Sequence, residues 1–254
     1  MPQRHADATY TDRTFRAMPG GCAQLLAAAG PLFPAASPIR VLDIGCGTGE
    51  LLFALAGLFP EARLVGVDIS EDNIRQASER LAGSGLGDRL EFVCGDYLRF
   101  AGTGFDLICS VSTLHLIPAP TEALFAKIAG ELRPGGAVLA TLPVDGPHNR
   151  AVCLARRAFR GLRGPALERG LLGLARLVYG ASVPAAVLED RLEYMFILPR
   201  FLAGRAFERV LAAGPGLVVA RREAEAPHRF GKLRHDLLTL VPARPAGAAA
   251  GEAS

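Results

Sequence analysis

The run Val41-Leu42-Asp43-Ile44-Gly45-Cys46-Gly47-Thr48-Gly49-Glu50 joins an apolar strand to a helix through three glycines. The apolar residues begin at Ile39, and those after Glu50 have the spacing of the first turns of a helix. Glycine has no Cβ, so this turn can adopt dihedral angles closed to other residues and lets a ligand lie against bare backbone. The unpaired amides at the start of the helix point at the same place. The run therefore predicts a binding site for a nucleotide-like ligand.

Two further predicted strands end in acids. Leu64-Val65-Gly66-Val67-Asp68 closes on a carboxylate 23 residues after Gly45. An acid at about that distance, roughly 20 residues, can accept both ribose hydroxyls of an adenosine. Glu91-Phe92-Val93-Cys94-Gly95-Asp96-Tyr97 is the third strand, and it also closes on an acid. Both acids are expected at the ligand-binding edge of a parallel sheet.

These motifs, in this order, resemble those of the class I S-adenosylmethionine-dependent methyltransferases. The first motif of that family is an acid followed by G-x-G-x-G, as in Asp43 and the glycines from Gly45, whereas the dinucleotide fingerprint is G-x-G-x-x-G. Phe105-Asp106-Leu107-Ile108-Cys109-Ser110 looks like the fourth motif, and Leu132-Arg133-Pro134-Gly135-Gly136-Ala137-Val138-Leu139 like the fifth, a helix end, a Gly-Gly turn and a strand. The resemblance covers roughly residues 39 to 142.

The resemblance implies S-adenosylmethionine as the cofactor and assigns roles to the acids. Asp43 lies near the loop that would receive the ammonium of the amino-acid end, Asp68 would hold the ribose, and Asp96 would face the adenine amino group with Tyr97 beside the ring. The full set expected at the cofactor is Asp43, Gly45, Cys46, Gly47, Gly49, Asp68, Ile69, Asn73, Asp96, Tyr97 and Ser110.

Structural roles remain open for the same residues. The three glycines suit the turn of any βαβ unit. Asp68 and Asp96 each precede residues that suit a helix cap or a turn. Asp43 could hold the loop through backbone hydrogen bonds alone.

The predicted fold class is α/β: a Rossmann-like, doubly wound seven-stranded sheet with an antiparallel last strand and a helical insertion after the fifth strand. Apolar strands alternate with amphipathic helices from 39 to 142, which indicates a parallel sheet covered on both faces. Two strands near 217–220 and 237–241 have no helix between them, whereas a nicotinamide-binding domain would continue with a parallel strand. We divide the chain into a helical lid segment (1–38), the cofactor-binding core (39–142), the insertion (143–199), the end of the core (200–242) and a disordered tail (243–254).

The insertion is basic. From Gly146 to Gly180 the sequence holds seven arginines and one acid, although the whole chain has a net charge of only +3. Val152, Phe159 and Leu162 are predicted to share a helix face opposite Arg156, Arg160 and Arg163. Three interpretations are open: a plain helical cap, a cover over an apolar or anionic substrate, or contact with an anionic membrane surface.

His115, five residues after the fourth strand, is the candidate catalytic base, because a histidine can accept a proton near neutral pH. The alternative is a packing histidine at a helix start, between Leu114 and Leu116. Candidate substrate-binding residues are Tyr10, His115, His148, Tyr179 and Tyr194. Ser110-Val111-Ser112 stands where nucleic-acid and protein amide N-methylating relatives tend to carry Asn-Pro-Pro-Tyr. A small-molecule acceptor is therefore expected, with no metal and no nucleic acid.

Composition adds a few bounds. The five cysteines show no metal-ligand spacing, so free thiols in a reducing cytoplasm are expected. No apolar run reaches the ~20 residues that span a bilayer, and no secretory signal is visible at the start. Two other functions remain open: a nicotinamide-dependent (NAD) oxidoreductase, and a non-catalytic cofactor-binding protein that acts through the basic insertion.

Overall fold

The computed structural model describes residues 21–162, 164–179, 188, 197–224 and 233–243. The strands are β1 (Arg40–Ile44), β2 (Arg63–Asp68), β3 (Leu90–Cys94), β4 (Phe105–Val111), β5 (Leu132–Pro143), β6 (Leu217–Ala224) and β7 (His235–Pro242). The helices are α1 (Gly21–Ala29), α2 (Glu50–Leu58), α3 (Glu71–Ala82), α4 (Thr121–Glu131), α5 (Pro147–Gly161), α6 (Pro165–Tyr179) and α7 (Arg205–Ala213).

The seven strands form one sheet in the order β3-β2-β1-β4-β5-β7-β6. The first five pair in parallel, and β7 pairs antiparallel with both β5 and β6. The predicted fold class is confirmed, including the antiparallel last strand. The strand order reverses between β1 and β4, so the carboxyl ends of these two strands flank the crevice in which such sheets bind ligands.

Helices cover both faces of the sheet. On one face, Leu42 and Ile44 of β1 pack in a cluster with residues of α4 and α7 such as Phe125 and Phe207. On the other face, Val41 packs with residues of α1, α2 and α3. Side chains alternate between the faces of a strand, so Asp43 points to the same side as Val41. The acid is thereby directed toward the buried side of the sheet that carries the glycine loop's helix.

Two predicted boundaries are wrong. The fifth motif was expected as a helix end and a turn before a strand from 137, but β5 already begins at Leu132, with a register shift against β4 between Phe105 and Leu107. The sequence pattern over 201–213 predicts a helix from residue 201, but α7 begins at Arg205. Phe201 instead stacks on Phe207, with ring centroids 5.4 Å apart, and it packs on the core from outside the helix.

The predicted lid segment enters the description only from α1, where Leu25 and Ala29 are fully buried in the core. Tyr10, Arg13 and Phe15 lie outside the described residues. All five cysteines carry free thiols. No helix among the described residues combines the length and the apolar character needed to cross a bilayer.

The face predicted for the insertion is also wrong. Arg156 of α5 is 5% exposed and donates through Nη1 to the carbonyl oxygen of Ile197 at 2.8 Å, whereas Leu162 is 71% exposed. Val152 and Arg156 are four residues apart, and residues with that spacing lie on the same side of a helix. Arg163 is outside the described residues.

Candidate active site

The three glycines after β1 all have positive φ, 74° at Gly45, 54° at Gly47 and 79° at Gly49. A Cβ at Gly45 would lie 2.4 Å from the side chain of Thr113, and one at Gly49 would lie 2.4 Å from the ring of Phe92. A Cβ at Gly47 would meet nothing within 4 Å. Two of the glycines therefore permit close packing, while Gly47 turns bare backbone toward open space.

Asp68 ties this loop to the end of β2. Its Oδ2 accepts from the backbone N–H of Gly47 at 2.8 Å, and its Oδ1 accepts from the backbone N–H of Ser70 at 2.8 Å and from Nδ2 of Asn73 at 3.4 Å. Ser70 also caps α3 by accepting from the backbone N–H of Asn73. An ionised carboxylate has about four acceptor positions, so Asp68 keeps capacity for a ligand hydroxyl after it has shaped the loop.

Asp43 is the buried acid of the site. Its side chain is 2% exposed, and within the described part of the chain Oδ1 has no hydrogen-bond partner. Burial, with a smaller contribution from the negative charge of Asp68, raises the pKa of Asp43 to about 8. A buried carboxylate oxygen without a partner is costly, and a cationic ligand group would remove that cost. The residues at this edge therefore fit the ammonium of an amino-acid end.

The predicted adenine side is only partly assembled as expected. Ile69 is 36% exposed and offers an apolar surface next to Asp68. Asp96 uses Oδ1 to accept from the backbone N–H of Leu98, so it caps a short 3-10 turn. Tyr97 does not face the edge: it is 3% exposed and its hydroxyl donates to Glu131 Oε2 at 2.6 Å. Its ring is anchored in the core under α4, where a residue next to the adenine was expected.

Two other expected cofactor residues turn their side chains inward. The hydroxyl of Ser110 is fully buried and donates to the carbonyl oxygen of Ile44 at 2.9 Å, which ties β4 to β1. The thiol of Cys46 is buried against Gly66, where a Cβ would lie 2.8 Å from Sγ. Ser110 and Cys46 can offer a ligand only their backbone atoms.

The structure adds Ser112 at the end of β4, which the sequence pattern did not single out. Ser112 has φ 54°, and it is the only non-glycine residue with a positive φ in the part of the chain that the structure describes. Its backbone N–H donates to Thr141 Oγ1 at 2.8 Å, and the two hydroxyls share a hydrogen bond at 3.1 Å. Strained backbone at a strand end is often found at functional sites, but a positive φ at serine leaves no signal in a single sequence.

Arg80 of α3 is a second residue that the sequence analysis missed. Its Nη1 donates to the carbonyl oxygen of Thr48 in the glycine loop at 2.9 Å, and its guanidinium lies 4.4 Å from the ring centroid of Phe53. Phe53 in turn packs on Phe92, the ring that approaches Gly49. The contact spans 32 positions along the chain, so no local pattern could have revealed it.

His115 is not placed to act as a base on an acceptor. Its side chain is 0% exposed, and within the described residues neither ring nitrogen has a hydrogen-bond partner. Burial, with the nearby His235 and Arg156, holds its pKa well below the usual range. The ring lies 5.5 Å from that of His235. A catalytic base must reach the hydroxyl or amine of the substrate that receives the methyl group. The fully enclosed imidazole of His115 does not reach one.

The other candidate substrate residues are not brought together by the described structure. His148 lies half-buried in the first turn of α5. Tyr179 ends α6, but its side chain is outside the described part. Tyr10 and Tyr194, together with Met195 and Phe196, also lie outside the described residues.

This fold and edge define an α/β domain that binds a nucleoside-containing cofactor: a parallel sheet, an open glycine loop at its switch point and an acid that pins the loop. Residues 41–136 match the family described as a methyltransferase domain. Residues 41–136 thus form a methyltransferase domain of the class I S-adenosylmethionine-dependent type, and S-adenosylmethionine is the cofactor of that domain.

Curated relatives match over the same region. The chain is 34% identical over 117 residues to trans-aconitate 2-methyltransferase of Deinococcus radiodurans, a match that covers 46% of this chain and 43% of that protein. It is 39% identical over 105 residues to the ubiquinone biosynthesis O-methyltransferase of Parvibaculum lavamentivorans, and this match covers 41% of this chain and 40% of that protein. The matched region thus spans less than half the length of these relatives.

A solved structure supports the fold over most of the chain. Magnesium protoporphyrin IX methyltransferase from Synechocystis PCC 6803, with bound S-adenosylhomocysteine, superposes with a TM-score of 0.55 and 19% sequence identity. The superposition covers 87% of this chain and 82% of that one. The likeness therefore includes the sheet beyond the region that the family match covers.

Proposed function

We propose that this chain transfers the methyl group of S-adenosylmethionine to a small-molecule acceptor. Two observations carry the proposal: the open space at the backbone of Gly47, and the buried carboxylate oxygen of Asp43 that has no hydrogen-bond partner in the part of the chain that the structure describes. Two of the matching relatives are named for trans-aconitate and for ubiquinone biosynthesis, and these names favour a small-molecule acceptor. The alternatives, an NAD oxidoreductase and a non-catalytic binding protein, are less favoured because the family match is to methyltransferases.

The chain's own residues would divide the work of holding the cofactor. Asp43 would accept the ammonium of the amino-acid end, and Asp68, steadied by Asn73, would accept the ribose hydroxyls. Ile69 would cover one face of the adenine with its exposed side chain. Asp96 would accept from the adenine amino group while its Oδ1 continues to cap the following turn.

Positioning would supply most of the catalysis. S-adenosylmethionine would supply an electrophilic methyl carbon. The acceptor's nucleophilic atom would bond to this carbon while the bond from carbon to sulfur breaks and S-adenosylhomocysteine leaves. The protein must then hold the acceptor close and aligned, and alignment of this kind can lower a barrier by up to about 7–11 kcal/mol. The ends of β4 and β5 are joined by the hydrogen bond between the hydroxyls of Ser112 and Thr141. They lie next to the glycine loop, because the side chain of Thr113 packs against Gly45. This rigid corner would form the acceptor side of the site.

Calorimetry and a labelled methyl donor test the proposal. We expect S-adenosylhomocysteine to bind and NAD not to bind, and we expect label to pass from the donor to a carboxylate or phenol in a panel of small acceptors. Binding of NAD instead would support the oxidoreductase, and binding of S-adenosylhomocysteine without transfer to any acceptor would support the non-catalytic alternative.

Gly47→Ala should weaken binding of S-adenosylhomocysteine, because the new Cβ enters the space proposed for the ligand. Gly85→Ala is the matched control: Gly85 also has a positive φ of 71° and open space around its Cβ position, but it lies in the loop after α3. Both variants carry similar backbone strain. Equal loss of binding in the two variants would argue against a ligand at Gly47.

A further inference from the structure

The outward side of α5 is apolar, the reverse of an ordinary surface helix. Positions that share this side at helical spacing are all exposed: Ala151, Leu154, Ala155, Ala158 and, just past the helix end, Leu162. Leu154 is 69% exposed and Leu162 is 71% exposed. The inward side holds Asn149 and Arg156, which are buried and hydrogen-bonded to backbone carbonyl groups. A surface helix of a water-soluble domain places its leucines inward, so the outward side of α5 departs from that pattern.

The next helix repeats the arrangement. Leu174 and Leu177 of α6 are 57% and 83% exposed, and they share a side with Ala166, Gly170 and Gly173, which are exposed as well. Arg169 and Arg176 flank this side and are exposed. On α5, the exposed Arg157 flanks the apolar side in the same way. We call the four leucines and these three arginines the leucine–arginine surface.

Exposed leucines are concentrated in these two helices. Seven large hydrophobic side chains are exposed among the described residues, and four of them belong to the leucine–arginine surface. The segment from Gly146 to Gly180 has an excess of six positive charges, from seven arginines and one glutamate. The surface itself therefore combines four exposed leucines with three exposed arginines.

We propose that the leucine–arginine surface binds an anionic phospholipid membrane. Helices that lie in a membrane interface place leucines at the boundary of the acyl chains and basic residues at the lipid phosphates. Long arginine side chains reach the phosphates while their stems lie against apolar atoms. A second copy of this chain is a poorer occupant, because like charges of the two surfaces would oppose one another. The inference is independent of the proposed methyl transfer.

Vesicle co-sedimentation of the full chain tests the inference. We expect binding to vesicles of equal parts phosphatidylcholine and phosphatidylglycerol, little binding to vesicles of phosphatidylcholine alone, and weaker binding as salt is raised. The pair Leu174→Gln and Leu177→Gln should reduce the affinity for anionic vesicles by about tenfold or more, since two buried leucines are lost from the interface. The pair Arg169→Gln and Arg176→Gln should remove most of the preference for phosphatidylglycerol.

The matched control is the pair Leu32→Gln and Val218→Gln, two exposed apolar residues outside the surface. This pair should leave vesicle binding unchanged. Failure of the wild type to bind anionic vesicles at low salt would overturn the inference, and so would equal loss in the control pair. Concentration-dependent dimerisation that the leucine variants abolish, without vesicle binding, would assign the surface to a second copy. Calorimetry with S-adenosylhomocysteine on each variant separates these outcomes from failure of the cofactor site.

Discussion

Asp43 and Asp68 show how two carboxylates on neighbouring strands can be prepared for different tasks. Asp68 receives three donors from the loop and from α3, so its orientation is set before any ligand arrives. Asp43 is buried with one oxygen unpartnered within the described residues, and its pKa is raised to about 8. Asp68 positions the glycine loop and is also a candidate to bind the cofactor's ribose. Asp43 is suited to bind a cationic group of the cofactor.

Binding of the cofactor product should release a proton from Asp43. At a pH of about 6.5 the carboxyl with a pKa of about 8 is mostly protonated, whereas an α-amino group, with a pKa of about 8, is already charged. A cationic neighbour lowers the pKa of the carboxyl, so the proton leaves on binding. The heat of S-adenosylhomocysteine binding should therefore differ between two buffers of different ionisation enthalpy.

Asp43→Asn should abolish this buffer dependence and weaken binding, and Asp88→Asn, at an exposed acid, should change neither. Identical heats in the two buffers for the wild-type protein would show that Asp43 does not meet the ammonium.

Arg80→Gln should weaken binding of S-adenosylhomocysteine by about two- to tenfold. The change removes the hydrogen bond to Thr48 and the contact with Phe53, which together steady the glycine loop and are worth about 0.5–1.5 kcal/mol. Calorimetry gives the dissociation constant, and the melting temperature should hardly change because Arg80 is exposed.

Arg75→Gln is the control on the same helix. Arg75 is exposed and forms ion pairs with Asp72 and Glu79 of α3, away from the loop. Equal weakening by both variants would mean that the effect is one of general charge and not of loop positioning.

At the scale of the elements, one side chain joins the insertion to the end of the sheet. Asn149 of α5 is 1% exposed, and its Nδ2 donates to the carbonyl oxygens of Val144 and Arg234 at 2.8 and 2.7 Å. Its Oδ1 accepts from the backbone N–H of Arg234 at 2.8 Å. These bonds link the exit of β5 and the entry of β7 to the first turn of α5, and thereby orient the insertion.

Asn149→Ala should lower the free energy of unfolding by about 1–3 kcal/mol, because buried backbone groups lose their partner. Proteolysis within α5 and α6 should become faster. Denaturant unfolding and limited proteolysis measure both effects. Arg150→Ala, which removes only an ion pair with Asp145 at the surface, should lower the free energy of unfolding much less than Asn149→Ala does, because solvent screens exposed ion pairs. If Asn149→Ala is as stable as the wild-type protein, the hydrogen bonds of the Asn149 side chain do not stabilise the fold.

At the scale of the whole molecule, a buried neutral histidine makes stability depend on pH. Burial of His115, with His235 and Arg156 nearby, holds its pKa well below the ordinary histidine value of 6.5. The unfolded chain binds a proton at His115 below that pH and the folded chain does not. Stability from this group is therefore present above about 6.5 and is lost as the pH falls.

The free energy of unfolding should fall between pH values of about 6.5 and 5 by as much as about 1.4 kcal/mol per pH unit for this one proton. His115→Leu should reduce that slope while leaving stability near neutral pH similar or higher. Denaturant titrations at several pH values measure how the free energy of unfolding changes with pH in the two proteins. An unchanged slope in the variant would show that His115 does not titrate on unfolding.

The architecture follows from local patterns. Apolar runs, glycines and acids at strand ends predict β2, β3 and α2 near their observed positions, and they predict the antiparallel last strand, because these features depend on residues near one another in the chain. The glycine loop and Asp68 are predicted for the same reason. The start of β5 was missed, since its first residues pair with β4 through a register shift that no local pattern marks.

Which way each side chain faces depends on contacts between distant segments. Tyr97 follows a strand-end acid, as an adenine neighbour would, but Glu131 on α4 draws its hydroxyl into the core. His115 is enclosed beside a histidine from β7, and Arg80 reaches the loop across 32 positions. Local sequence sets the backbone path because secondary structure has a short period, whereas packing partners of high sequence separation decide burial, and burial decides which of the candidate residues can meet a ligand.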